Sequence, residues 1–424
     1  MAVTNYTGLQ ISNPQVGIQI TKVTDSSADW GSVANSTYFY DKATALVYFK
    51  DSTGTVLNLF SSAGGLVFFT EAQNTSTPNT TVPVDSLTPV SSATNTDVAI
   101  VTKGSGAFML RIPDNTGAGG NKRGAYAVDL SISPSFGAYN VASADYSAVL
   151  GGVHNQASGT FSVTAGYYNT ASGYSSNIGG GTQNNATGSH ASVSGGAYNS
   201  ASSKGSVAGG NSNTASGFAS FVGGGYGNVS SGNYSHSIGT YNNASGDTSG
   251  TFGTGNIANS TRSYAFGVNA NVFSMQNRQS YSSGQFASEG DNQMSRFLMK
   301  IATTDNTPTS LTTNGGGYSN GTNNYILLSN QSAFRFKGTI VGKQSGSTNA
   351  SVWDVDGFIV RGASAGATTL VVSNVNLVSN APAWGTPTLS ADTTIGCLNI
   401  QVTGASATNI RWMGNIETTE VIYA

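Results

Sequence analysis

The sequence predicts an all-β chain: a small N-terminal β-meander, a central solenoid of short parallel strands, and a C-terminal β-sandwich or jelly roll. Three observations carry this. A unit reading Ser-x-x-x-Gly-Gly-x-x-Asn-x-Ala-Ser-Gly recurs about every 14 to 15 residues through the middle of the chain. Only 8% of the 424 residues are charged, against about 25% in an ordinary globular chain. Short apolar runs bounded by Gly, Ser and Asn occur towards both ends, and no long amphipathic helical pattern occurs anywhere.

The asparagine of the unit falls at Asn140, Asn155, Asn169, Asn184, Asn199, Asn213, Asn228, Asn242, Asn256 and Asn269, with gaps of 15, 14, 15, 15, 14, 15, 14, 14 and 13. This period is too short for a helix pair and too long for a heptad. It fits a coil of two short strands and two tight turns. Gly-Gly and Ala-Ser-Gly mark corners, where positive φ or close backbone approach is needed. Val163, Val193 and Val207, each after a serine, and Ile178 and Val222, two residues after theirs, are expected to point into the coil. Ala157, Ala171, Ala186, Ala201, Ala215, Ala244 and Ala258 follow the asparagine by two and suit a narrow interior. The asparagine suits either a left-handed corner or a ladder in which each amide bonds the next coil. At about 4.8 Å per coil, the ten copies make a rod roughly 45 Å long. So thin a coil buries little apolar area, so lateral association is expected, and a threefold bundle would supply it.

The flanks divide into three. Residues 1–72 form the N-terminal β region, with three strand-like runs between Tyr38 and Phe60 that make a meander too small to stand alone. Residues 73–137 hold a Thr/Ser/Asn/Pro linker (Gln73 to Asp97) and a lead-in. There Val98–Val101 and Ala107–Ile112 are expected to pair as a hairpin around Lys103-Gly104-Ser105-Gly106. Residues 138–272 are the repeats. Residues 273–424 carry strands at Tyr325–Leu328, Ala333–Val341, Ser351–Val360, Thr368–Val372, Cys397–Val402 and Asn409–Met413, the spacing of a sandwich.

A formal net charge of −2 builds in no attraction to nucleic acid or anionic lipid. The N-terminus has neither a basic n-region nor an apolar h-region, and no apolar run approaches the length of a membrane span, so neither export by signal peptide nor membrane insertion is expected. The single cysteine, Cys397, excludes an internal disulfide and reads as a small buried hydrophobe. His154, His190 and His236 are far apart at different repeat phases, so no metal site is expected and all three read as solvated loop residues. Asp354-x-Asp356-Gly357 lacks the further oxygen ligands of a calcium loop and reads as a solvated strand face. The glycine triplets at 179–181 and 223–225 precede no helix and are coil corners rather than phosphate loops. No cofactor is expected. Glycoside hydrolysis needs two carboxylates about 5 to 10 Å apart. The repeats offer only Asp145 and Asp247, whereas the C-terminal segment offers Asp354, Asp356, Asp392, Glu417 and Glu420. Tyr167, Tyr168, Tyr198, Tyr226 and Tyr241 suit stacking on sugars or packing between chains, the second preferred. Trp353 and Trp412 read as sandwich core.

The coils Ser162-Val163-Thr164-Ala165-Gly166-Tyr167-Tyr168-Asn169-Thr170-Ala171-Ser172-Gly173 and Ser206 to Gly217 resemble the head repeats of trimeric autotransporter adhesins. That resemblance implies a left-handed parallel β-roll with three chains to a head, over Ala138 to Asn271. The adhesins' signal peptide, coiled-coil stalk and anchor have no counterpart here. The flanking segments Val101 to Phe108 and Gly119 to Leu130, with Leu389 to Thr394, Val402 to Gly404, Ile410 to Trp412 and Glu417 to Val421, resemble bacteriophage tail fibres and related virion proteins. This implies a homotrimeric, non-enzymatic tail or head fibre on the surface of the virion. Its N-terminal region would dock on other virion proteins, and its C-terminal domain would form a tip that contacts a host-surface glycan or protein. A bacterial trimeric surface adhesin and a polysaccharide-depolymerising tailspike are the alternatives.

Overall fold

The computed structural model describes residues 10–11, 18–19, 22–24, 27–35, 37–41, 46–50, 52–58, 69–74, 84–89, 95, 99–110, 122–131, 141–316, 324–380 and 384–423. The fold is all-β, with 2% helix, a central β-solenoid of about 10 turns, and sheets towards both termini. Contacts divide the chain into two units, Met1–Val101 and Thr102–Ala424.

In the first unit the expected meander is present as Thr37–Asp41, Leu46–Lys50 and Val56–Asn58. A fourth strand, Lys22–Thr24, joins it in parallel. A 3-10 turn, Ser27–Ser32, lays Trp30 against Phe39 and Tyr48, with ring centroids 6.0 and 4.6 Å apart. Lys50 ties this turn down by donating to the carbonyls of Trp30 and Val33 at 3.2 and 3.0 Å. The supposed linker also carries a ladder: Phe69–Asn74 pairs antiparallel with Val84–Pro89. Its polar composition hid the strands, because threonine and valine supply the β preference while serine and proline suggest turns.

The second unit begins with a correction. Phe108–Met109 is a strand, but among the described residues 99–101 are not, so the expected hairpin is not seen there. Phe108–Met109 instead pairs in parallel with Val128–Asp129 and starts the first of two ladders. That ladder takes one strand from every coil as far as Arg278–Ser283. The second ladder stacks nine strands from Val141–Ala142 to Ile257–Ala258. Register repeats from coil to coil, as in Ala157↔Ala171↔Ala186↔Ala201↔Ala215. These alanines have no exposed surface, nor have Ala244 and Ala258. On the facing ladder Val149, Ile178, Val193 and Val222 point inwards. Val163 and Val207 do not: strand parity hands their interior places to Thr164 and Ala208 and leaves them half-buried outside.

Both corners of each coil use left-handed backbone. One runs through Phe161, Ser175, His190, Gly205, Ala219, Tyr234 and Thr248, and the other through the residue before each asparagine, such as His154, Tyr168 and Tyr198. The glycine three residues before each asparagine has a separate reason. At Gly196, φ is +92° and an added Cβ would lie 1.8 Å from the Gly210 carbonyl oxygen of the next coil.

The solenoid does not end in a loop. Arg278–Ser283 extends the first ladder by one parallel strand and then pairs antiparallel with a long strand, β1 (Asn292–Thr303). Four more long strands follow in chain order: β2 (Ser332–Gln344), β3 (Ala350–Arg361), β4 (Thr368–Asn380) and β5 (Ile410–Ile422). Their order in the sheet is β1-β5-β2-β3-β4, so the last strand is inserted between β1 and β2. A second sheet gathers Thr309–Ser310, Ile326–Leu327 and Gly385–Asp392 on Cys397–Thr403. Phe297, Phe336, Trp353 and Trp412 from one sheet pack with Leu398, Ile400 and Val402 from the other. The sequence reading shortened β4 and β5 and omitted β1, whose outward Met294 and Leu298 blur its alternation.

A buried ion pair sits where solenoid meets sheet. Arg278 and Glu420 have no exposed side-chain surface and are in direct contact. Arg278 also donates to Ser295 Oγ at 3.0 Å and lies 5.4 Å from the ring centres of Phe273 and Phe297. Gln293 donates to Glu420 at 3.1 Å. Burial pushes the guanidinium below its ordinary value, and the Glu420 charge opposes that shift.

Two outcomes are expected in chemical denaturation. Gly196→Ala should destabilise strongly, whereas Gly205→Ala should cost only the backbone penalty of a left-handed residue, about 1–2 kcal/mol. The second also has positive φ (+67°) but meets nothing closer than 3.9 Å, and Ala219 already holds the matching corner. Glu420→Gln should cost about 3–5 kcal/mol by stranding a buried cation. Adding Arg278→Met should recover part of that loss.

Candidate functional site

Of the ten asparagines singled out, eight (Asn155 to Asn256) occupy one buried column at the entry to the second ladder. Each side chain spans two coils. Asn199 Nδ2 donates to the Gly195 carbonyl of its own coil at 3.0 Å and to the Gly210 carbonyl of the next at 2.6 Å. Its Oδ1 accepts from the backbone N–H of Asn213 at 3.0 Å. The same pattern recurs at Asn169, Asn184 and Asn242. Most bonds thus run from amide to backbone, with amide-to-amide bonds at Asn228, Asn242 and Asn256. The left-handed corner belongs to the residue before. Asn269 is the exception: it takes that corner at φ +60°, and Ala270 accepts its place in the column by donating its N–H to Asn256 Oδ1 at 2.9 Å. The final gap of 13 residues is the trace of this shift. Asn140 lies outside the described residues.

Aromatic side chains project from the same corners. Tyr126, Tyr146 and Phe161 stack at 5.1 and 5.0 Å, nearly parallel, and Tyr174 and His190 continue the row edge-on. On the other corner His154 stacks on Tyr168 at 4.3 Å, and Tyr226 meets Tyr241 at 5.1 Å. His154 is therefore buried rather than solvated. A third row lies on the outer face of the first ladder: Ile238, Phe252, Phe266, Tyr281 and Met294 are consecutive partners across five strands. Phe252–Phe266 and Phe266–Tyr281 stack at 5.5 and 4.9 Å, 11° from parallel. Their faces are taken up by one another, and their edges point out.

This face continues over the C-terminal sheet, where Leu298, Val341 and Met413 are exposed. One row across it reads Asp356, Lys337, Glu417, Arg296, alternating in sign. Arg335 pairs with Asp356 at 2.5 Å, Lys337 with Glu417 at 3.6 Å, and Thr339 donates to Asp354 at 2.9 Å. Lys337, Thr339, Asp354, Asp356 and Glu417 border a depression of about 360 Å³. Of the five C-terminal carboxylates singled out from the sequence, Asp354, Asp356 and Glu417 share this face. Glu420 is in the buried pair, and Asp392 caps a turn by accepting from the N–H of Thr394 at 2.8 Å. Among the described residues no three of His, Cys, Asp or Glu gather as metal ligands. Burial, aided by Asp392, pushes the Cys397 thiol far up and keeps it un-ionised. Trp353 and Trp412 are core residues, 1% and 2% exposed.

At the far end of the long strands, a cleft of about 470 Å³ opens between the ends of β1, β2 and β5. Ile410 and Thr303 form its floor; Thr304, Gln344, Ser345 and Asn409 supply polar groups; Lys343 and Arg411 supply charge. No single run of sequence marks it, because its residues come from the ends of three strands spread over more than a hundred positions.

No family model matches the chain, and no curated protein matches it. Among solved structures it is similar to the tailspike protein gp49 of Acinetobacter baumannii bacteriophage Fri1, a capsular polysaccharide depolymerase. The identity is 9% and the TM-score 0.19, over 74% of this chain and 58% of that one. It is also similar to the tailspike protein of Acinetobacter phage vB_ApiP_P1, at 8% identity and TM-score 0.19, over 96% of this chain and 100% of that one. The chain thus spans little more than half of the first, and at these values the likeness transfers no site or substrate. The expectation that the chain is not an enzyme is nevertheless corrected, because a depolymerase stands among the structures it resembles.

Asn199→Asp should lower stability at neutral pH, since two carbonyls lose their donor at about 1–3 kcal/mol each and face a carboxylate instead. Those carbonyls raise the folded-state pKa of the new acid above its unfolded value. The penalty is therefore full above that pKa and shrinks as pH falls through it. Thermal melts at several pH values check this.

Proposed function

We propose that this chain is a bacteriophage tail protein that assembles as a homotrimer on the virion surface and contacts a host-surface glycan. In this reading residues 1–72 dock on the virion, 73–137 lead in, 138–272 form a stiff left-handed spacer, and 273–424 form the tip. The observation that carries it is the unbroken ladder from solenoid into sheet, which makes spacer and tip one rigid body. The apolar outer row supports the trimer. A neighbour that meets it at every coil needs the same axial repeat, which a second copy in parallel has. Three tips on one rod then add weak contacts into useful avidity.

A second reading, a polysaccharide-cutting tailspike, is favoured by Asp354, Asp356 and Glu417 sharing one face. It predicts new reducing ends when the chain meets host polysaccharide, lost in Asp356→Asn.

Light scattering should give three chains per particle for the full protein and smaller particles for Phe252→Lys/Phe266→Lys. Adsorption to host cells should fall at least tenfold in the variant. A monomeric wild-type protein, or one that does not adsorb, overturns the reading.

A further inference from the structure

We infer that the cleft at the far end of the C-terminal sheet binds a saccharide bearing a carboxylate, with Arg411 and Lys343 receiving the charge. The inference deepens the glycan-contacting role proposed above and rests on it.

The argument begins with charge. Arg335 and Lys337, outward cations of β2, each have a carboxylate within reach, Asp356 and Glu417. Arg296 has an amide acceptor, Asn415 Oδ1, at 2.8 Å. At the far end this rule breaks. Lys343 and Arg411 are direct partners across β2 and β5, and Ala302 and Ala350 flank them in the same row. Like charges opposed in a ladder repel. No acidic residue lines the cleft they share. Lys343 is turned towards the backbone carbonyls of Gln344 and Ser347. Arg411 has no hydrogen-bond or ion-pair partner among the described residues, and it is exposed. A guanidinium with its fork free, beside an ammonium, is a geometry for a carboxylate.

The remaining lining says what carries that carboxylate. Thr304, Gln344, Ser345 and Asn409 offer hydroxyl and amide groups that both donate and accept, the match for a polyhydroxylated ring. The volume of about 470 Å³ lies within the roughly 300–1,000 Å³ of small-ligand sites. The floor is apolar at Ile410, and Trp412 behind it is held by its Nε1–H donating to Thr303 Oγ1 at 2.9 Å. The floor is therefore rigid, while the charged groups at the rim are free to adjust. Chain direction adds one point. The solenoid's last strand, Arg278–Ser283, meets residues 294–297 of β1, so the cleft lies at the strand ends away from that junction.

The test uses the full-length protein and a matched pair of probes, trigalacturonic acid and its methyl ester, by titration calorimetry at low and at physiological salt. The acid is expected to bind at least tenfold more tightly than the ester, and more weakly as salt rises. Arg411→Gln should weaken acid binding at least tenfold without lowering the melting temperature, because it removes a repulsion. Lys343→Gln should weaken it less. Inorganic phosphate, tested in parallel, should compete only weakly. Equal binding of acid and ester, or unchanged binding by Arg411→Gln, overturns the assignment, as does phosphate binding as tightly as the acid. A trimer that adsorbs to host cells but fails these tests removes the cleft assignment alone. A monomer that never adsorbs removes the role on which it rests.

Discussion

The structure depends on a side-chain amide that satisfies two coils at once. A solenoid of two-residue strands has few ladder bonds per coil and an interior of alanine, serine and valine, so hydrophobic burial alone holds successive coils weakly. Each buried asparagine adds bonds to carbonyls of its own coil and the next, and accepts from the backbone below. Buried polar groups of this kind are stabilising only when every partner is present. The requirement is therefore absolute at each step, and it explains why the residue recurs while its neighbours vary among Tyr, His, Gln and Ser. The close glycines follow from the same contact, because the carbonyl that receives the amide lies where a Cβ would stand.

A periodic ladder has to end, and an open ladder edge is a template for unwanted pairing. Here the end is an antiparallel strand of the same chain. The change from parallel to antiparallel pairing needs a backbone reversal at residues 284–291, after the strand that Arg278 opens. An ion pair without solvent contributes little net stability but penalises every alternative in which either partner stands alone. Glu420 comes from the last long strand, so the junction and the link between β1 and β2 are completed by the same segment. Solenoid and sheet are thereby one cooperative structure rather than two joined by a tether.

Surface character changes along the molecule. Around the early coils the outer face of the first ladder carries Ala165, Gly179 and Ser194, small enough for close approach. From Ile238 onwards it becomes apolar, and over the C-terminal sheet it adds charges of alternating sign. At the shared ends of β1, β2 and β5, Lys343 and Arg411 stand together with no acidic residue lining the cleft between them.

The solenoid was legible in the sequence because its physics is local and repeated: one amide, one pair of glycines and one alanine per coil impose a period that survives any single substitution. The reading slipped where two positions compete for one role, as at Asn269, or where inward and outward places differ by one residue, as at Val163 and Val207. Short runs in the C-terminal segment revealed strands but neither their length nor their order, since outward Met294, Leu298 and Met413 imitate a core. Sequence by itself therefore determined the class of fold, the repeat and its buried asparagines. Tertiary structure alone decided that the ladder passes into the C-terminal sheet, that Arg278 finds Glu420 across 142 positions, and that Lys343 and Arg411 share a cleft. These depend on strand order and register, which are set by packing between distant segments and leave no periodic trace along the chain.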